Sequence, residues 1–166
     1  MHMKKAIFIG RFQPLHKGHC HAIKNIIERE DIGHLFIIIG SADKKGTVDN
    51  PLSFDTRKNM LEKVFRAKID EKKISVLGLD DCSSDDEWIK NLKSIAPDFD
   101  MAFTGNDWTR RCLESVCIVE KQEFYDEKHL NGTYIRSCIK NRKDISSLLP
   151  EKVIGVITGA IKQKNF

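Results

Sequence analysis

The sequence predicts one doubly wound α/β domain, residues 1–166, built on a parallel sheet of about five strands. Three observations carry that expectation. Short, near-continuous apolar runs recur along the chain, as strands covered on both faces require. Each is followed by an amphipathic stretch of helical period, the spacing of right-handed βαβ units. A chain of 166 residues can bury a continuous core without disulfides, yet is short for two domains.

Taken in order, Lys5–Ile9, His34–Ile39, Lys73–Leu79, Asp100–Thr104 and Cys117–Glu120 read as strands. Helical patterns fall between them at about His16–Arg29, Ser53–Arg66, Asp85–Ser94 and Asp107–Ser115. Ser53 opens the second, with Asp55 in its first turn favoured by the helix dipole. Ser84 and Glu87 have the spacing of a capping box for the third, which Pro97 then stops. A helix near Asn131–Asn141 follows the fifth strand, and a last one has Pro150 at its first position.

Composition excludes several function classes. Lys plus Arg number 28 and Asp plus Glu 24, a formal charge of +4, and the charges are interspersed. That argues against a basic nucleic-acid stripe and suits a small phosphorylated ligand equally well. No apolar run approaches the ~20 residues of a membrane helix, and the first is too brief for a signal peptide. The five cysteines, Cys20, Cys82, Cys112, Cys117 and Cys138, are scattered without metal-ligand spacing. They read as reduced, mostly buried thiols of a cytoplasmic protein.

Doubly wound sheets bind ligands outside the carboxyl ends of their strands. The first strand ends in Gly10-Arg11-Phe12-Gln13-Pro14, followed by His16-Lys17-Gly18-His19. A helix starting near His16 would put both imidazoles on one face at its N-terminus, where free N–H groups and the dipole attract an anion. Gly18 then lets the backbone approach a ligand, and Gly10 permits a sharp turn or a close ligand contact. Taken singly, each His reads better as a helix cap or a solvated side chain. As a pair at a strand–turn–helix junction, they point to a phosphate that gains charge during reaction.

These residues resemble the signature of the HxGH nucleotidyltransferases, a Rossmann-like family, and most closely its archaeal-type nicotinamide mononucleotide adenylyltransferases. Further blocks continue the resemblance in order: Gly40-Ser41-Ala42, Lys44, Thr47, Asn50-Pro51 and Arg57; Asp81 and Trp88; Thr104-Gly105-Asn106 and Arg110; and Asn131-Gly132-Thr133-Tyr134-Ile135-Arg136. The last is similar to the family's second signature, SGTxIR. The resemblance implies that ATP and nicotinamide mononucleotide give NAD and pyrophosphate by in-line attack, without a covalent enzyme intermediate. It implies Mg²⁺ bridging the substrate phosphates, no protein metal site, and His16, His19, Arg11 and Arg136 as the catalytic set. ATP would contact these four together with Gly10, Phe12, Gly18, Gly105, Asn106, Asn131, Gly132 and Thr133. Gln13, Lys44, Asp85 and Trp88 would hold the mononucleotide. Related enzymes are often hexameric, so a homo-oligomer is left open, while nucleic acid and membranes are not expected as partners.

Physical chemistry accommodates these roles beside plainer ones. A phosphate nucleophile is already ionised, so positioning and charge stabilisation carry the reaction. Arg136, one turn inside its helix, can clamp a phosphate or simply stay solvated while Asn131 or Thr133 caps. Trp88 can stack on a cationic nicotinamide ring or pack in the core; the polar run Asp80–Glu87 around it favours a cleft mouth. Three positions depart from the family pattern: Asn131 replaces the usual Ser, Glu127 an Arg, and Asp85 an Asn before the stacking Trp. These leave two alternatives open, another phosphate-monoester acceptor such as phosphopantetheine (or CTP in place of ATP), and a nucleotide-sensing module without turnover.

Overall fold

A computed structural model describes residues 2–123, 125–164 and 166. The elements run β1 (Lys4–Gly10), α1 (Lys17–Ile27), β2 (Ile32–Ile39), α2 (Phe54–Asp70), β3 (Ile74–Gly78), α3 (Asp85–Ile95), β4 (Met101–Thr104), α4 (Asp107–Leu113), β5 (Ile118–Lys121), α5 (Gly132–Lys140) and α6 (Glu151–Lys162). All strand pairings are parallel, in the order β3-β2-β1-β4-β5. The order reverses between β1 and β4, and a crevice must open there beyond the strand ends.

Alternation along the strands sorts the core into two layers. Ala6 and Phe8 of β1, with Leu35, Ile37 and Ile39 of β2, face the helices that contribute Ile23, Met60, Leu61, Ile135, Val153 and Ile157. Ile7, Ile38 and Ala102 face the other way, against Trp88 and Leu92 of α3 and Leu113 of α4. Both faces of β1 and β2 are sealed, which is why their sequences read as unbroken apolar runs.

Helix boundaries shift where capping decides them. The first helix is shorter than expected because His16 caps it from outside and Glu28 closes it. Ser84 does cap α3, accepting from Glu87 N–H at 3.2 Å. The expected reciprocal bond is not made: the Glu87 carboxylate accepts from the N–H and hydroxyl of Ser83 instead. Pro150 is the residue before α6 rather than its first, and α2 runs on to Asp70. No helix among the described residues is long and apolar enough to cross a membrane. The cysteines are all unpaired; Cys20, Cys112 and Cys138 are buried.

One buried cation organises the strand ends. Arg57, on the first turn of α2, is fully buried, and its hydrogen bonds go to backbone carbonyls. Its guanidinium donates to the carbonyls of Gly40 (2.8 Å), Ser41 (3.0 Å) and Arg11 (3.1 Å), with longer bonds to Ala42 and Lys44 at 3.4 Å. The segments leaving β1 and β2 are thereby held by one side chain. Arg57→Met keeps the bulk but orphans these acceptors, each worth ~1–3 kcal/mol when buried and unpaired. Urea unfolding should show a loss of about 3 kcal/mol or more; a change under about 1 kcal/mol would contradict this role.

Candidate active site

A cleft of about 320 Å³ opens where the sheet order reverses. Its walls come from the end of β1 (Ile9, Gly10, Arg11), the start of α1 (His16, Gly18, His19), the end of β4 (Thr104, Gly105, Asn106) and the approach to α5 (Leu130, Asn131, Gly132). Gln122, Tyr125 and Glu127, from the segment after β5, close the rim.

The histidine pair caps α1 reciprocally. The His19 N–H donates to His16 Nδ1 at 3.3 Å, and the His16 N–H donates to His19 Nδ1 at 3.4 Å. The rings stack with centroids 3.7 Å apart. Because a backbone N–H can only donate, both Nδ1 atoms must be unprotonated, leaving each ring neutral with its proton on Nε2. Burial agrees with this: it pushes His16 down to about 4 and holds His19 well below the usual imidazole value, where the neighbouring His16 adds to the effect. Neither Nε2 has a partner among the described residues, so each ring keeps one N–H to donate.

Glycines make room for this pair. A side chain at Gly18 would meet the His16 ring at 3.0 Å and Leu130 at 3.2 Å. A side chain at Gly10 would meet the Phe12 ring at 3.0 Å. Phe12, expected to contact ATP, has φ 53° and turns its ring into the core, 4.8 Å from His19, where it props that imidazole. The left-handed backbone there is unusual for a bulky residue, and the packed ring offsets its cost.

Arg136 joins the two signature segments. Its guanidinium donates to the Gln13 carbonyl at 3.0 Å and to Thr133 Oγ1 at 3.4 Å, and lies 3.5 Å from an Asp49 carboxylate oxygen. Its side chain is 12% exposed, so it is not the solvated cap residue of the plainer reading. A side chain at Gly132 would come within 2.8 Å of this guanidinium and 3.2 Å of the Gln13 carbonyl oxygen. Burial, and then the charge of Arg11, lower the pKa of Arg136. The same two causes act on Arg57. Three guanidiniums thus crowd the loop after β1, an environment that favours an incoming anion. Arg11 is exposed and forms no ion pair among the described residues.

Asn131 is the N-cap of α5, accepting from Tyr134 N–H at 2.8 Å, while its amide donates to the Glu127 carbonyl at 2.9 Å. A Ser could make the first bond but not the second, so the departure from Ser ties down the preceding loop. Asn106 caps α4 through Thr109 N–H and receives the rest of its support from Thr104, whose hydroxyl accepts from Asn106 N–H at 3.1 Å.

The residues expected to hold a mononucleotide lie outside this cleft. Gln13 is 2% exposed, and its amide is spent on Leu52, donating to the carbonyl and accepting from the N–H, each at 2.9 Å. Its backbone carbonyl, in turn, accepts from Arg136. Lys44 pairs with the Asp43 carboxylate at 2.6 Å. Trp88 is 6% exposed in the second core layer, edge-on to Trp108 with centroids 5.0 Å apart. Its neighbouring acidic run lies on the surface while the ring turns inward, so the expected open mouth is corrected to a buried ring. Asp85 accepts from Trp108 Nε1 at 3.2 Å, which fixes the exposed indole beside it.

Sequence reasoning passed over Gln122 and Tyr125, which line the cleft, and Asp49, which faces Arg136. Gln122 directly follows β5, a signal that the strand-end rule could have used. Tyr125 and Asp49 sit in irregular segments with no local pattern to announce them.

The cytidylyltransferase-like family model matches residues 7–159. A nicotinamide-nucleotide adenylyltransferase from Methanococcus vannielii is 32% identical over 155 residues, 92% of this chain and 87% of the relative. One from Archaeoglobus fulgidus is 30% identical over 158 residues, 92% and 90% of the two chains. Among solved structures, a bifunctional NMN adenylyltransferase/ADP ribose pyrophosphatase from Francisella tularensis, complexed with AMP and a Mn ion, matches with TM-score 0.77 at 24% identity. The match covers 99% of this chain and 50% of that one, so this chain spans half its length. A Plasmodium falciparum nicotinic acid mononucleotide adenylyltransferase complexed with APC has TM-score 0.68 at 14% identity, with 99% of each chain covered. At those identities the two structures speak to the fold.

The capping geometry has a measurable consequence. With its folded pKa lowered to about 4, His16 should show no protonation in the free protein near pH 6.5, and an NMR titration of its ring should find a midpoint close to 4. The unfolded chain binds that proton first, so folding loses stability as pH falls from about 6.5 toward 4 and loses none above 6.5. A midpoint near 6.5 would mean the cap is not formed in solution.

Proposed function

The chain belongs to the cytidylyltransferase-like family, and on that premise we propose that it is a nicotinamide-nucleotide adenylyltransferase, joining ATP and nicotinamide mononucleotide to give NAD and pyrophosphate. The observation that carries the reading is the 3.0 Å bond from Arg136 to the Gln13 carbonyl. It brings both signature segments, drawn from opposite ends of the sequence, to one cleft at the sheet's reversal point.

The mononucleotide 5′-phosphate oxygen attacks the ATP α-phosphorus in line. A new P–O bond forms as the α–β bridging bond breaks, and the electron pair leaves with pyrophosphate. No protein base is needed, because the attacking phosphate is already ionised. The chain's contribution is charge and position. His16 and His19 offer their Nε2–H groups to the phosphate oxygens, and the stacked rings cannot swing away without breaking the helix cap. Neutral rings still donate through Nε2–H while Nδ1 keeps the cap. Arg136 turns from Asp49 to the β,γ-phosphates, with the free N–H groups at the start of α5 beside it. Arg11, unpaired, completes the positive rim.

The donor set also bears on the cation. The cleft presents imidazole and guanidinium N–H groups, and among the described residues no three His, Cys, Asp or Glu side chains gather as a metal site. Such a cleft fits a cation that arrives on the polyphosphate, held by phosphate oxygens and water. Mg²⁺ bound in that way supplies charge neutralisation to the triphosphate.

Selection of the acceptor falls to Asp85, whose carboxylate is fixed by the exposed indole of Trp108. A carboxylate there accepts hydrogen bonds from a carboxamide and repels a carboxylate, which favours the amide mononucleotide over its deamido counterpart. Incubation with ATP, Mg²⁺ and nicotinamide mononucleotide should yield NAD and pyrophosphate in equal amounts; absence of both, with ATP bound, would leave the sensing module standing, and turnover only with another monoester would reassign the acceptor. His19→Ala should lower kcat by about 100-fold or more with the fold retained. Turnover with the deamido mononucleotide should be lower, and Asp85→Asn should narrow that gap; an equal or reversed preference in the unmodified chain would remove Asp85 from substrate selection.

A further inference from the structure

The cleft is chemically divided. Its wall carries Arg11, His16 and His19 on the segments after β1, and the ring of Tyr125 on the segment after β5. Apart from the two catalytic imidazoles, Tyr125 supplies the aromatic surface in the cleft wall among the described residues. It is 56% exposed, a large ring left at the surface rather than packed in the core. It is also not loose: one side rests on the imidazole of His21, with centroids 4.9 Å apart and planes 28° from parallel. That imidazole is in turn held by the Asn25 amide at 3.1 Å, one turn along α1. Two side chains of α1 therefore brace an aromatic ring at the lip of the nucleotide cleft.

Resting on the nucleotidyltransferase reading, we propose that Tyr125 is the base platform of this site: its ring stacks on the nucleobase of the nucleoside triphosphate, while the histidine–arginine side takes the phosphates. Stacking on a pre-positioned ring costs little ordering entropy, and it is tolerant of base identity because every base has a π-face. Tyr125 thus favours a nucleotide over a bare polyphosphate rather than choosing adenine over other bases.

The test separates those two ligand parts. Calorimetry on the full chain with ATP, and separately with inorganic tripolyphosphate, gives a dissociation constant for each. Tyr125→Ala should weaken ATP by about 5- to 100-fold and leave tripolyphosphate within about twofold. Tyr125→Phe, which keeps the ring and loses the hydroxyl, should bind ATP as the unmodified chain does. Unchanged ATP binding in Tyr125→Ala, or equal weakening of both ligands, overturns the proposal. So does failure of Tyr125→Phe to recover affinity, which would assign the loss to the hydroxyl. If the unmodified chain binds no ATP, the functional reading itself fails; if it binds ATP indifferently to residue 125, only this inference does.

Discussion

A single buried guanidinium underlies the geometry of the site. Carbonyl oxygens at the ends of parallel strands point out of the sheet with no partner strand to answer them. Arg57 answers several at once, binding carbonyls after β1 and after β2 with one planar fork. Lysine could not span those directions, since it presents a point charge rather than a fork. The Arg11 carbonyl is one of the acceptors, so the segment that leads to Phe12, Gln13 and the histidines inherits its path from α2. Gln13 repeats the device on a smaller scale by pairing with both backbone groups of Leu52.

The histidines show how capping and chemistry share the same atoms. A helix N-terminus needs acceptors for its free N–H groups, and in α1 the two Nδ1 atoms provide them. That duty settles the tautomer, keeps the rings neutral and leaves each Nε2–H free. Phe12 packs against the His19 ring, and Gly18 leaves the space that His16 occupies. The site is therefore preorganised before any phosphate arrives, and its donors need not be rebuilt during reaction.

Departures from the family pattern acquire distinct physical meanings. Asn131 preserves the cap that Ser would make and adds a tether to the Glu127 carbonyl, so the change is conservative for the helix and stiffening for the loop. Glu127 stays on the cleft rim, where its charge opposes a polyphosphate. Asp85 is engaged by Trp108, whose indole in turn packs edge-on against the buried ring of Trp88.

The apolar runs, their spacing and the strand-end glycines were legible in the sequence, because sheet burial and helix amphipathicity write themselves into local pattern. From them came five strands, their parallel pairing and the crevice flanked by His16 and His19. Local pattern says nothing of partners distant along the chain. That Arg136 reaches Gln13 across 123 positions, that Arg57 gathers the strand ends, and that Trp88 turns inward from an acidic surface run are decided by packing alone. Tyr125 belongs with these: a ring in an irregular segment has no periodicity to report it, and only the fold sets it against His21 at the cleft lip.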